Sequence, residues 1–288
     1  MTEIHETHLG ALRRPRRLLI YRHTRITRLT HWINLLCVTV LLMSGLQIFN
    51  AHPALYWGKT GVDPGQALFE IGAQDSGGGS PVGFTRIGSS TFETTGILGV
   101  SRDASGEAEQ RGFPRWATLP SWRDLAIGRR WHFFFAWAFV ANLVVYLVAG
   151  MASGHFWREL LPSKQQLRPR ALLNDLGNHL RLKFPRGEAS RGYNPLQKLA
   201  YLTVIFVLLP LMILAGLAMS PGMDAIFPWL VDLLGGRQSA RTIHFFTASL
   251  ILLFVFVHVA MVLLAGPLNE LRGMITGRFA LSLEDDHE

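Results

Sequence analysis

The run Arg241-Thr-Ile-His244-Phe-Phe-Thr-Ala-Ser-Leu-Ile-Leu-Leu-Phe-Val-Phe-Val-His258-Val-Ala-Met-Val-Leu-Leu-Ala265 decides the fold. It is long and apolar enough to cross a bilayer as a helix. It nevertheless carries two histidines, which are costly at membrane depth and rare there without a partner. From 244 to 258 is fourteen residues, a helical rise of about 21 Å, and at about 100° per residue both imidazoles return to nearly the same face. One helix thus offers two histidines to one side, one toward each membrane surface. That geometry suits two stacked metal centres if other spans supply the opposing ligands.

Three more apolar runs are long enough: about Leu29 to Phe49 with His31, about Trp131 to Ala152 with His132, and about Leu196 to Met219 with Pro210. With 49% hydrophobic and 17% charged residues and a mean hydropathy of +0.23 over 288 residues, the chain is too apolar for an ordinary soluble domain. The expected fold class is therefore all-α: an integral membrane four-helix bundle with a long extracytoplasmic loop, 50–130, between its first and second helices. A net charge of +8 raises nucleic acid as a partner. In a membrane chain the excess Arg is more simply topology and contact with the lipid bilayer, so no nucleic acid is expected.

Charge also sets the sides. Residues 1–30 carry seven Arg against two Glu, and 158–196 carry eight Lys/Arg against three acids, whereas 50–130 carry eight of each. Both termini and the 158–196 connection are expected in the cytoplasm. The chain divides into a basic N-terminus (1–28), a membrane domain (29–265) and a C-terminal tail (266–288) whose acidic end is expected to be solvated. The run Arg13-Arg14-Pro-Arg16-Arg17 superficially resembles an export signal, but Tyr21-Arg22-His23-Thr-Arg25 separates it from the apolar segment and no small-residue cleavage site follows. An uncleaved N-terminus is expected. The loop ends in an aromatic-rich stretch, 113–125, of interfacial character, and residues 221–236 are expected to hold a short surface helix closed by Gly235.

Helix direction then places the histidines. The first and third spans run outward, the second and fourth inward. His132 lies level with His244 near the outer surface, and His31 lies near the depth of His258 at the inner one. Haem iron takes axial imidazoles, and a four-helix bundle can house the porphyrin. Zinc more often asks for a tighter cluster with cysteine or carboxylate, and the apolar spans contain no carboxylate. Cys37 is the only cysteine, so covalent haem attachment and an iron–sulfur site are excluded. His155 overshoots the depth of His258 and is assigned to the inner surface, near quinone or lipid. His5, His8, His23, His52, His179 and His287 read as ordinary surface histidines. Arg28, Arg129, Arg130 and Arg241 precede the ligand candidates closely, and they either pair with haem propionates or snorkel to headgroups. Gly45, Gly150, Ala215 and Gly216 either make room for a porphyrin face or allow close helix packing.

The pieces Arg28-Leu-Thr-His31-Trp32-Ile-Asn34, Arg130-Trp-His132-Phe-Phe-Phe-Ala-Trp137, Tyr193-Asn194-Pro195-Leu-Gln197-Lys198-Leu-Ala-Tyr201 and Arg241-Thr-Ile-His244 through His258 together resemble the bacterial cytochrome b561 / nickel-dependent hydrogenase b-type cytochrome family. That group includes membrane subunits of formate dehydrogenase and thiosulfate reductase, and the resemblance covers all four spans but not the 50–130 loop. It implies two non-covalent b-type haems, held by His132 with His244 and by His31 with His258. It also implies a quinone site near the inner haem, with Asn194 as the position carried over and Tyr193, Gln197 and Lys198 beside it. The same Asn194-Pro195 pair reads equally as a helix cap followed by a first-turn proline. The expected function is electron transfer in a bacterial inner membrane between quinone and a peripheral redox enzyme of molybdopterin or hydrogenase type. The alternatives are a self-contained quinol-dependent oxidoreductase acting on a small oxidant such as superoxide, and a haem-free transporter or scaffold.

Overall fold

The computed structural model describes residues 17–61, 67–75, 77, 79–181, 183 and 192–282. Arg13, Arg14, Arg16, His5, His8, His287 and the acidic end 284–288 lie outside the described residues. Among the described residues, four helices are long and apolar enough to cross a membrane. They are α1 (Arg25–Phe49), α2 (Leu125–Ala152), a third composed of α4 (Pro195–Thr203) and α5 (Leu209–Ala218), and α8 (Arg237–Ala265).

Three of the four start four to six residues before the apolar run does. The Thr24 side chain accepts from the Thr27 N–H at 3.2 Å and Asp124 from the Ile127 N–H at 2.8 Å. Side-chain caps of this kind let a polar first turn be helical before the hydrophobic stretch begins. The third span contains a π-helical turn, Val204–Leu208, directly before Pro210. Proline lacks an N–H and its ring crowds the carbonyl four residues back, so a wider turn at that point relieves the clash.

α1 packs along α2 and α5 along α8. The two pairs meet at mid-depth in a cluster of Cys37, Phe139, Leu143, Leu209 and Ile251. Ile251 lies midway between His244 and His258 in sequence, so packing is tightest between the two histidine levels. Asn142, buried in α2, donates to the Thr30 carbonyl at 2.8 Å and to Asn34 Oδ1 at 2.7 Å on α1, which satisfies a polar group that is expensive to leave bare in an apolar interior. Leu35, Leu36, Phe134, Val144, Leu253 and Phe256 point outward and are half-exposed or more, as lipid-facing side chains do.

The all-α expectation needs correction, because eight strands are present among the described residues. Within the long loop, β2 (Ala54–Leu55), β3 (Phe69–Gln74), β4 (Val82–Ile87) and β5 (Ser90–Glu93) form one antiparallel sheet in chain order. β6 (Gly99–Arg102) and β7 (Ala108–Arg111) form a hairpin beside it. This cap is fastened to the helix ends by named bonds. Arg111 donates to Gln47 Oε1 at 2.6 Å, to Thr118 Oγ1 at 2.7 Å and to the Ser121 carbonyl at 2.8 Å. Asn50 bonds Phe113 in both directions, and Thr242 of α8 donates to the Tyr56 carbonyl at 2.6 Å. Phe49, Leu55, Ile71, Phe113 and Phe245 fill the joint.

The opposite end carries a second small sheet. β1 (Arg17–Tyr21) pairs antiparallel with β8 (Arg278–Ser282), from Arg17↔Ser282 to Tyr21↔Arg278. α9 (Pro267–Thr276) leads into β8, and its last turn is held by Arg28, which donates to the Ile275 carbonyl, and by Trp32 Nε1, which donates to the Met274 carbonyl at 3.1 Å. Gly277 turns the chain at φ 81°, and a Cβ there would lie 2.7 Å from the Tyr21 ring. The resulting clasp joins the two terminal segments that the sequence divided into separate tails. At the same end, α3 (Pro169–Leu180) is tied to α4 by Asp175, which accepts from the Leu196 N–H at 3.1 Å. Where one short helix was expected before α8, there are two, α6 (Pro221–Ile226) and α7 (Pro228–Leu233).

Candidate metal centre

The gap between the helix pairs is bridged by histidine at two levels. At the cap end, His132 of α2 faces His244 of α8 with ring centres 6.3 Å apart and planes at 64°. At the clasp end, His31 of α1 faces His258 of α8, again with ring centres 6.3 Å apart and planes at 57°. A metal held midway between two imidazole nitrogens at about 2.0 Å from each sets the ring centres about 6 Å apart once the ring radii are added. Both pairs have that spacing. The angle between planes is no obstacle, because each ring can rotate about its own metal–nitrogen axis.

The cap-end rings are fixed from behind. Ser44 is fully buried, and its hydroxyl donates to the Val40 carbonyl at 2.6 Å. Its oxygen lies 3.1 Å from His132 Nδ1, so with its proton already placed it accepts the Nδ1–H. The Met212 carbonyl, which can only accept, lies 3.0 Å from His244 Nδ1. Both bonds put the ring proton on Nδ1 and leave the Nε2 lone pair free, the arrangement metal-bound histidines use. Glycine makes room on each side. A Cβ on Gly45 would sit 3.4 Å from His132 Cε1, and one on Gly216 would sit 3.3 Å from His244 Cε1. These two small residues therefore accommodate the imidazoles, whereas Gly150 faces Phe156.

The clasp-end rings are set differently. His31 Nδ1 is buried without a hydrogen-bond partner, and its ring meets Trp32 edge-on at 5.4 Å. His258 stacks on Phe254 at 5.9 Å and 17°. Among the described residues no group of three or more His, Cys, Asp or Glu gathers to hold an ion. Each level thus supplies two imidazoles and nothing else. That donor set suits axial ligation of a macrocycle that brings its own equatorial nitrogens, and falls short of zinc's usual four protein ligands.

The profile of the prokaryotic cytochrome b561 family matches residues 22–277. The chain belongs to that family. Membership makes it a multi-pass membrane protein of b-type haem electron transfer. A protein described as a putative protein-methionine-sulfoxide reductase subunit YedZ1, from Azospira oryzae, is 29% identical over 242 residues, covering 84% of this chain and 90% of that one. A probable Ni/Fe-hydrogenase B-type cytochrome subunit from Cupriavidus necator is 30% identical over 138 residues, 44% of this chain and 56% of that protein. No solved structure matches.

The other candidate residues of this cytochrome fall in varied places. Arg28 is spent on the Ile275 carbonyl, although its Nε is buried and unpartnered. Arg241 donates to the His52 carbonyl and lies over the Phe49 ring at 5.4 Å, in the joint beneath the cap. Arg130 is exposed beside Ile127, Trp131 and Phe134 in a shallow open groove. Asn194 begins α4 in a capping box, with its backbone N–H donating to Gln197 Oε1 at 3.2 Å, and Lys198 Nζ donates to Gln166 Oε1 at 3.4 Å. His155 sits at the end of α2, 3.5 Å from the Glu159 carboxylate.

His23 is a correction. Read from sequence as a surface residue, it is 9% exposed, packed under the clasp against Gly273. Burial and, next, the neighbouring Arg22 guanidinium push its pKa down to about 4. His179 is also less exposed than expected and pairs with Asp175 at 3.3 Å. Sequence reading also missed Ser44 and the Met212 carbonyl. One signal was present: Gly45 follows His31 by fourteen residues, the interval that separates His244 from His258, so α1 offers a bare face at the level where α8 offers an imidazole.

Proposed function

We propose that this chain holds two b-type haems, one between His132 and His244 and one between His31 and His258, and passes electrons between a peripheral redox enzyme and membrane quinone. The single observation that carries this reading is the matched pair of imidazole spacings, 6.3 Å at both levels. Bound haem supplies reversible one-electron exchange at iron. The residues supply position and insulation. Four imidazoles from three helices define two sites about 21 Å apart along α8, and the Cys37–Phe139–Leu143–Leu209–Ile251 cluster keeps water from the space between.

The Arg bias of 1–30 and 158–196 supports a clasp end in the cytoplasm and a cap in the periplasm of a bacterial inner membrane. The cap is then the docking platform for the enzyme partner, and its named bonds to α1 and α8 hold that platform over the His132–His244 level. The names of the two relatives, a reductase subunit and a hydrogenase cytochrome subunit, support a redox-enzyme partner, which this reading takes to be of molybdopterin or hydrogenase type. A structured cap favours this reading over a self-contained oxidoreductase.

Quinone is assigned to the clasp end. There Tyr193 meets Tyr201 at 5.3 Å, Tyr201 meets Phe254 at 6.0 Å, and Phe254 stacks on His258. Burial pushes the Tyr193 hydroxyl pKa up, so it remains a proton donor. Because Asn194 starts the helix, Tyr193 is the better candidate for a contact to the quinone headgroup. The test is a dithionite-reduced-minus-oxidised spectrum with pyridine haemochrome quantification. Two b haems per chain, partly reduced on adding a quinol, are expected. One haem per chain, or none, overturns the assignment.

A further inference from the structure

The two levels share a spacing but differ in what lies behind the rings. At the cap end both Nδ1 atoms are engaged, His132 by Ser44 at 3.1 Å and His244 by the Met212 carbonyl at 3.0 Å. At the clasp end His31 Nδ1 is buried with no partner, and His258 is held by stacking on Phe254. An acceptor on Nδ1–H makes an imidazole a more basic ligand. A more basic axial ligand favours the oxidised metal and lowers the reduction potential.

We infer that Ser44 is a positioning residue that sets redox poise: by accepting the His132 Nδ1 proton it makes the His132–His244 level the lower-potential of the two. This rests on the two-haem reading above. The step involved is uptake of one electron at each level with no bond made or broken. Ser44 touches neither haem nor substrate and acts only through His132. During reductive titration the His31–His258 level fills first. An electron crossing the membrane therefore meets a step between the levels, and the size of that step is adjustable from a single hydroxyl on α1.

The experiment is potentiometric titration of the purified holoprotein, following the absorbance of the reduced form. The natural protein is expected to show two waves, and His31→Ala to retain only the lower. Ser44→Ala is expected to move the lower wave upward, so that at the original midpoint the reduced-to-oxidised ratio rises about two- to fivefold, the equivalent of losing one hydrogen bond. The upper wave stays in place, and Ser44→Thr, which keeps the hydroxyl, restores the original position. Should Ser44→Ala not retain both haems, Ser44→Cys, with a much weaker acceptor, takes its place and the same upward move is required. If both waves stay put in a variant that binds two haems, or if His31→Ala retains the upper wave, the inference fails while the two-haem assignment stands. A haem count other than two in the natural protein fails the assignment itself.

Discussion

The two ends of the helical bundle solve one problem by opposite means. At the cap end, a sheet and a hairpin built from a single loop close over the helices and the facing imidazoles are both held from behind, although Ser101 Oγ, Glu109 Oε2, Arg111 Nε and Gln238 Oε1 are buried without partners. Arg111 has no exposed side-chain surface and makes three donations, and both nearby imidazoles are hydrogen-bonded. At the clasp end, closure comes from segments far apart in the chain, and polar groups are left bare or crowded: His31 Nδ1 and Arg28 Nε lack partners, and His23 is buried beside Arg22. An imidazole held at Nδ1 keeps one tautomer and one orientation, whereas His31, at the end assigned to quinone, is held only by the packing of its neighbours.

Breaking the cap end should have the largest effect. Arg111→Ala leaves Gln47, Thr118 and the Ser121 carbonyl without their shared donor, a loss of roughly 2–4 kcal/mol. Limited proteolysis is expected to cut between β3 and β7 in this variant while the β1–β8 clasp stays resistant. A smaller effect is expected from Gly216→Val. Its γ-carbons have no room beside His244 Cε1, where a Cβ alone would approach to 3.3 Å, and overpacking of this kind costs about 1–3 kcal/mol. The reduced spectrum should lose the contribution of the His132–His244 level and keep the other. The clasp end has no counterpart, because among the described residues no added Cβ on a glycine meets His31 or His258.

The smallest effect is a pH dependence confined to the clasp. Folded His23 has its pKa near 4 against 6.5 when unfolded. Between those values the unfolded segment binds more protons, so clasp stability is full above about 6.5 and is lost progressively as pH falls toward 4. Amide hydrogen exchange in β8 should quicken over that window, exchange in β6 should not follow it, and His23→Gln should flatten the response.

Much of this contrast was legible in the sequence, and what escaped did so for physical reasons. The four spans declared themselves because a bilayer demands long apolar runs, and the helix sense brought His31 toward His258 and His132 toward His244, as the structure places them. The boundaries slipped by about a turn, because capping by Thr24 and Asp124 extends helices into polar sequence that hydropathy ignores. The cap was illegible. Its strands are two to six residues long, β5 is exposed throughout, and close backbone approach at Gly99, where a Cβ would lie 2.2 Å from the Gly72 carbonyl oxygen, leaves no periodic apolar trace. His23 was misread because Gly273, 250 positions further along, packs against it. The Ser44 contact is of the same kind, one hydroxyl among many in apolar helices until its neighbour on α2 is known.

The pairing of Arg17–Tyr21 with Arg278–Ser282 imposes a schedule on biogenesis. β1 is made before α1, yet the strand it pairs with is made after α8. At about 5–20 residues per second, the intervening synthesis occupies roughly 13–50 s. For that interval β1 presents an open edge, with Leu18, Leu19 and Ile20 able to seek other strands, flanked by the like charges of Arg17 and Arg22. Completion of this short sheet therefore waits until α1, α2, α5 and α8 have all been synthesised, which makes it a late marker of the bundle's assembly.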